Sequence, residues 1–288
     1  MNNKHLKHLK RVAAIHDLSG FGKCSLTVAL PILSAAGIET SALPTAILST
    51  HTGGISGYTY LDTTGEMRPF TKHWKSLGLR FDALYSGFLG SFEQLDIVKD
   101  FFDEFRQKDN LVLVDPVMAD NGELYKIFSP DFARGMRGLC EKADIIVPNI
   151  TEAALLLGET YHPGPYSEAY IENLLRGLSE LGPKQIVLTG VYFKETELGA
   201  ATYEKATGKP EYSFVSKIPG YYHGTGDVFA SALLAGLLNG FSLGESAGIA
   251  VRYTAGSIRR TYEAATDVRF GVNFEQGFPT LLKELGLV

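Results

Sequence analysis

The sequence predicts an α/β fold, a three-layer arrangement in which helices cover both faces of a mainly parallel sheet. Short continuous apolar runs alternate with segments whose apolar residues recur at helical spacing, the pattern of strands buried on both faces. The runs end in polar residues. Glycine, at 31 of 288 residues, exceeds its usual share of about 7% and clusters where the runs stop.

Val12-Ala13-Ala14-Ile15 is the first predicted strand, followed by a Gly turn and an apolar stretch from about Ser25 to Ala36. Residues 51–66, rich in Gly, Thr and Tyr, predict a small flap. Ala83-Leu84-Tyr85 precedes a helix from Phe92 to about Gln107. Leu111 to Val114 precedes a polar loop and a helix around Pro130 to Cys140. Asp144 to Val147 and Gln185 to Leu188 repeat the scheme, with helices starting at Thr151 and Ser167. Residues 199–217 read as two strands around Thr207-Gly208-Lys209-Pro210, a marginal β-hairpin. The last third is helical, from Asp227 to about Asn239 and from Leu243 to about Ala264. With no repeat, low-complexity tract or linker, residues 11–288 read as one domain behind a basic tail, residues 1–10.

Composition narrows the partners. Lys and Arg total 27 against 32 Asp and Glu, a net charge of −5, which argues against a nucleic-acid binder working through a basic footprint. No run approaches the roughly 18 apolar residues of a spanning helix, so no membrane partner is expected. Lys4, Lys7, Lys10 and Arg11 read as a solvated tail. Cys24 and Cys140 form no CxxC pair and read as reduced thiols of a cytoplasmic protein.

The run ends carry the chemistry: His16-Asp17, Ser86-Gly87, Asp115, Asn149 and Thr189-Gly190. Any one alone reads as a cap or turn residue. Five on neighbouring parallel strands face one crevice, where open α/β sheets bind ligands. Gly20-Phe21-Gly22-Lys23-Cys24-Ser25 is no Walker loop, because Asp17 and Cys24 occupy its first and last positions. Ser25 also breaks a dinucleotide fingerprint, which leaves a tight turn into a helix or a lid over a small flat substrate. Gly224-Thr225-Gly226-Asp227 is sharper. Its glycines let backbone N–H groups approach an anion at a helix start, and its acid could accept a hydroxyl proton beside a transferring phosphoryl group.

With Ile15-His16-Asp17-Leu18-Ser19-Gly20, Ser49-Thr50-His51-Thr52-Gly53, Asp115-Pro116-Val117-Met118-Ala119-Asp120, Asn149-Ile150-Thr151-Glu152 and the Gly-Thr-Gly-Asp turn in this order, the chain resembles the ribokinase-like small-molecule kinases. Within them it looks most like the vitamin B6 kinases. The resemblance implies a ribokinase-like fold and ATP- and Mg²⁺-dependent phosphorylation of the 5′-hydroxymethyl group of pyridoxal, pyridoxamine or pyridoxine, in B6 salvage. A monovalent cation is a further option, and a homodimer is implied. Asp227 would be the catalytic base, with Gly224, Thr225 and Gly226 as the anion hole. Asn149, Glu152 and Asp115 would organise the metal. Asp115, Asp120, Tyr125, Asn149 and Thr189 would meet the nucleotide. Asp17, Ser19, Thr52 and Tyr85 or Phe88 would surround the substrate ring, while His51 would either position substrate or serve as a structural histidine. Asp17 stands where the well-known pyridoxal kinases carry Ser, which keeps a hydroxymethylpyrimidine substrate open. A catalytically silent nucleotide- or vitamer-binding module is the reading from another class.

Overall fold

The computed structural model describes residues 9–288; the basic tail expected over 1–10 lies outside them except for Leu9 and Lys10. β1 (Arg11–Phe21) is the first central strand and runs well past its expected end. Its pairing with β2 shifts register between His16 and Leu18. Asp17 therefore sits at an irregularity inside a strand, not at a strand end, and such breaks re-aim side chains beside sites. The Gly20–Ser25 stretch resolves as a tight turn into α1 (Leu26–Ala35).

Next come β2 (Glu39–Thr50), β3 (Tyr60–Asp62) and α2 (Thr64–Ser76). The flap expected over 51–66 is thus shorter, because from Tyr60 the chain joins the sheet antiparallel to β2. The following elements are β4 (Ala83–Ser86), α3 (Phe92–Phe105), β5 (Leu111–Val114), the short pair β6 (Ala119–Asp120) and β7 (Glu123–Leu124), and α4 (Phe132–Cys140). Then follow β8 (Ile145–Ile146), α5 (Ile150–Leu157), α6 (Glu168–Glu180) and β9 (Gln185–Val191). The expected hairpin is β10 (Glu197–Glu204) and β11 (Pro210–Ser216), and α7 (Thr225–Leu238), α8 (Leu243–Glu263) and α9 (Phe278–Glu284) complete the chain.

One nine-stranded sheet has the order β11-β10-β9-β8-β5-β4-β1-β2-β3. The six central strands, β9 through β2, are parallel, and the antiparallel pairings lie at the margins. Strand side chains alternate between two cores. Ala13, Ile15, Leu84, Val112 and Val114 face the α2–α6 layer, while Val12, Ala83, Tyr85 and Leu113 face α1, α7, α8 and α9. Each buried Val, Ile or Leu among them contributes about 1.5–3 kcal/mol. Strand order reverses between β1 and β4, so the crevice outside their carboxyl ends is where this architecture receives a ligand.

α7 is buried continuously from Val228 to Gly236, wedged against α1 and α8. A helix apolar on all sides is a fixed element of the core. What stands at its amino end is held firmly.

Candidate active site

Gly224 caps α7 in the left-handed conformation, φ 74°. Thr225, Gly226 and Asp227 form the first helical turn, whose amides have no partner within the helix. Unpaired N–H groups of this kind, with the helix dipole behind them, are the chemistry that suits an anion. Gly226 differs from Gly224: its φ is not positive, and a Cβ there would meet nothing within 4 Å. Its open side belongs to a cavity of about 340 Å³.

The cavity draws together most of the polar strand ends. Asp115 after β5, Asn149 after β8, Thr189 in β9 and Asp227 all line it, as do Asp120, Tyr125 and Glu152. Its remaining wall is apolar, with Leu198, Val215, Val251 and Ile258 from the hairpin and α8. A polar end and an apolar end are thus joined in one groove.

Two groups in it are already committed to the frame. Asn149 Oδ1 accepts from the Glu152 N–H at 2.9 Å, and its Nδ2 donates to the Ala119 carbonyl at 2.8 Å. Glu152 Oε2 accepts from the Asn149 N–H at 2.9 Å and Oε1 from Met118 N–H at 3.1 Å. This capping box seats the start of α5 and ties it to the loop after β5. Asp115 is different. It is 6% exposed, and burial, then the charges of Glu152 and Asp227, push its pKa well up. A buried carboxylate raised by two others is a site that a metal–phosphate complex would relieve. Among the described residues no three acidic, His or Cys side chains converge as a metal cage. An ion here would therefore rest on Asp115 and on phosphate oxygens, with Asn149 and Glu152 as the surrounding frame.

Asp227 is raised to about 7 by burial, against the pull of a hydrogen bond from the Ser25 backbone, with Asp17 adding a like charge. That value suits a general base near neutrality. Ser25 adopts φ 52°, a strained conformation for a side-chain-bearing residue. Its hydroxyl meanwhile hydrogen-bonds Asp17, so one residue braces both carboxylates. Nothing in the sequence marked Ser25 beyond its place in the Gly-rich turn.

Asp17 is buried, accepts a hydrogen bond from Ser19 Oγ at 2.9 Å, and is not part of the groove's lining. Burial raises its pKa. Phe88, half-buried after β4, packs near Phe128 with ring centroids 5.9 Å apart. Tyr85 needs correction: it is fully buried on the α7 side of the sheet, edge-on to His16. Strand alternation turns its ring into the core, where its hydroxyl feels the charges of Asp115 and Asp227 but has no exposed surface. Thr52 is exposed on the short loop after β2. His51 is tied to the backbone at both nitrogens: Nδ1 accepts from Gly53 N–H at 3.0 Å, so the protonated Nε2 donates to the Arg269 carbonyl at 2.5 Å. That is a structural latch between two loops. Cys24 is pushed well up by burial and by the charges of Asp17 and Asp227, and so stays a thiol.

Comparison with known proteins places this geometry. The phosphomethylpyrimidine kinase family matches residues 32–270. A pyridoxal kinase of Arabidopsis thaliana is 31% identical over 193 residues, 64% of this chain and 60% of the relative's length. A Bacteroides thetaiotaomicron protein, provisionally assigned as a phosphomethylpyrimidine kinase and crystallised with pyridoxal, is 39% identical. It superposes with a TM-score of 0.91 over 95% of this chain and 96% of its own. Pyridoxal kinase of Lactobacillus plantarum is 32% identical, with a TM-score of 0.88 over 96% and 98%. Among the described residues no helix is long and apolar enough to cross a membrane. With the match running through the helix that carries Asp227, the chain belongs to the phosphomethylpyrimidine kinase family, a ribokinase-like kinase.

Proposed function

We propose that this kinase transfers the γ-phosphoryl group of ATP to the 5′-hydroxymethyl group of a vitamin B6 vitamer. The observation that carries the reading is the pair Asp17 and Asp227, braced by Ser25 on the substrate side of the anion turn. A carboxylate at position 17 can accept from a ring hydroxyl or a protonated ring nitrogen. The pyridoxal kinases among its relatives, and the pyridoxal in the Bacteroides crystal, support this substrate class.

The acceptor arm lies with its oxygen at Asp227, which removes the hydroxyl proton as the bond to phosphorus forms. The N–H groups of Thr225, Gly226 and Asp227 receive the charge of the transferring group. The apolar wall of Leu198, Val215, Val251 and Ile258 takes the nucleobase, and Thr189 and Tyr125 flank the phosphate end. Asp115, within the frame of Asn149 and Glu152, would hold Mg²⁺, which would neutralise phosphate charge when bound. Little covalent work falls to the protein; it aligns, excludes water and holds a base.

A second reading, hydroxymethylpyrimidine kinase, is favoured by the family match. A phosphorylation assay comparing pyridoxal, pyridoxamine and pyridoxine with hydroxymethylpyrimidine tests both. Higher kcat/KM on a B6 vitamer is the expected result; higher kcat/KM on the pyrimidine overturns the substrate assignment. The reading also carries a homodimer in the cytoplasm, with a monovalent cation as an option, testable by solution mass and by K⁺ titration of the rate.

A further inference from the structure

Asp120 and Tyr221 are 101 positions apart, on the β6–β7 hairpin and on the loop that leads into α7. The Tyr221 hydroxyl donates to Asp120 Oδ2 at 2.7 Å. Oδ1 accepts from the Asn121 N–H at 2.8 Å, so both oxygens have fixed partners. The hairpin turns through Asn121 and Gly122 at φ 52° and 84°, the paired positive angles of a tight two-residue turn. The Gly122 N–H is tied in turn to Thr151 Oγ1 at 3.0 Å. On the other side the Tyr221 ring stands edge-on to His223, with centroids 5.2 Å apart at 87°. The hydroxyl is thereby aimed while the ring is backed. Both residues line the groove, where each is in contact with a different part of its polar end: Asp120 with the loop carrying Asp115, Tyr221 with the approach to the anion turn.

We propose that Tyr221 is a positioning residue for the nucleotide: by holding Asp120 it pins the β6–β7 hairpin to the loop before α7, across the phosphate end of the groove. The proposal rests on the kinase reading above. Burial and the neighbouring carboxylate push the phenol's pKa up, so it remains a donor to that carboxylate. The bond joins the hairpin that follows the Asp115 loop to the loop that leads into the Gly224–Asp227 turn, and both must be in register with one triphosphate.

Tyr221→Phe removes one hydroxyl and keeps the ring against His223. Calorimetric titration of the full chain with Mg·ATP should show affinity reduced roughly tenfold, the scale of one hydrogen bond to a charged group. Asp120→Asn should lose a similar amount, and the double variant no more than about twofold beyond either, as for two residues acting as one unit. In the kinase assay KM for ATP should rise while KM for the acceptor stays unchanged. Mg·ATP affinity of Tyr221→Phe within about twofold of wild type, or losses that add fully in the double variant, overturns the proposal. The titration contains no acceptor. A wild-type chain that binds Mg·ATP but phosphorylates neither ring class therefore refutes the substrate reading alone, whereas a chain that does not bind Mg·ATP refutes both.

Discussion

The carbonyl oxygen of Lys23 lies 1.9 Å from where a Cβ on Gly224 would stand. The turn after β1 is therefore packed directly beneath the residue that starts α7. The same turn is fastened from the far end of the chain, since the Lys23 N–H donates to the Phe270 carbonyl at 3.1 Å and Lys23 Nζ meets Glu275 at 2.8 Å. The turn after β1, the turn that starts α7 and the C-terminal segment form one packed unit.

That contact separates two glycines of one motif. Gly224→Ala places a methyl against backbone at a positive φ and should lower the melting temperature clearly, with about 1–3 kcal/mol from the strained conformation alone. Gly226→Ala meets open space and no forbidden φ. It should melt close to wild type yet lose turnover, because the methyl enters the space where a phosphoryl oxygen approaches. Thermal melts paired with kcat check both. Wild-type kcat/KM for Gly226→Ala would remove the anion from that turn.

Asp227 acts as a base only when ionised, and its pKa is pushed up to about 7. Turnover should therefore rise with pH through neutrality and level off above it, falling about tenfold per unit on the acid side. Asp227→Asn should reduce kcat roughly 10²–10⁴-fold and erase that limb. Stability moves the opposite way. A folded-state pKa above the unfolded one adds stability that is complete below the unfolded carboxylate value, about 4, and is lost as pH rises through the folded value. The melting temperature of Asp227→Asn relative to wild type should then be higher at pH 8 than at pH 5. Equal differences at the two pH values would mean that Asp227 is not desolvated.

Glu152→Gln probes the frame of the metal side. The carboxylate accepts from two backbone N–H groups, one per oxygen, and an amide can accept at only one of them. The other N–H would face an NH₂ group, a loss of about 1–3 kcal/mol for an unsatisfied buried donor. The Mg²⁺ concentration for half-maximal rate should also rise, because one negative charge beside Asp115 is gone. A lowered melting temperature with an unchanged Mg²⁺ titration would leave Glu152 as a helix cap and nothing more.

Much of the groove was legible in the sequence because its residues follow directly on buried strands. Asp115 follows β5 directly, Asn149 lies shortly after β8 and Thr189 ends the apolar run of β9, so continuous apolar runs announce the strand and the next polar residue lies near its mouth. Gly224 to Asp227 was legible for a similar reason, since a glycine-rich turn precedes a wholly apolar helix. β2 and α2 were not. β2 carries Pro44 and several Thr and Ser residues, and α2 buries only Met67 and contains Pro69, so neither shows the periodicity of its class. Tyr85 was misplaced because its sequence position fixes alternation but not which face is the ligand side. Ser25 and Tyr221 depend on contacts between distant segments, Ser25 with Asp227 and Tyr221 with Asp120, and no local pattern encodes either.

Asp17 is where this chain departs from the well-known pyridoxal kinases, and Asp17→Ser tests that departure on two readouts. The carboxylate does not line the groove proposed for the nucleotide, so its loss should act on the ring. KM for the preferred vitamer should rise roughly tenfold or more, the scale of a charge-assisted hydrogen bond, while KM for ATP stays put. The second readout is electrostatic. Asp17 is a like charge that helps to raise Asp227, so without it the base ionises at lower pH. The acid limb of the pH profile should move down even as substrate binding weakens. Asp17→Asn should reproduce that shift, because it removes the charge and keeps the size. A raised vitamer KM with an unmoved limb would separate ring recognition from the base. Weakened ATP binding with intact vitamer selectivity would place Asp17 on the nucleotide side and sink the substrate reading of β1.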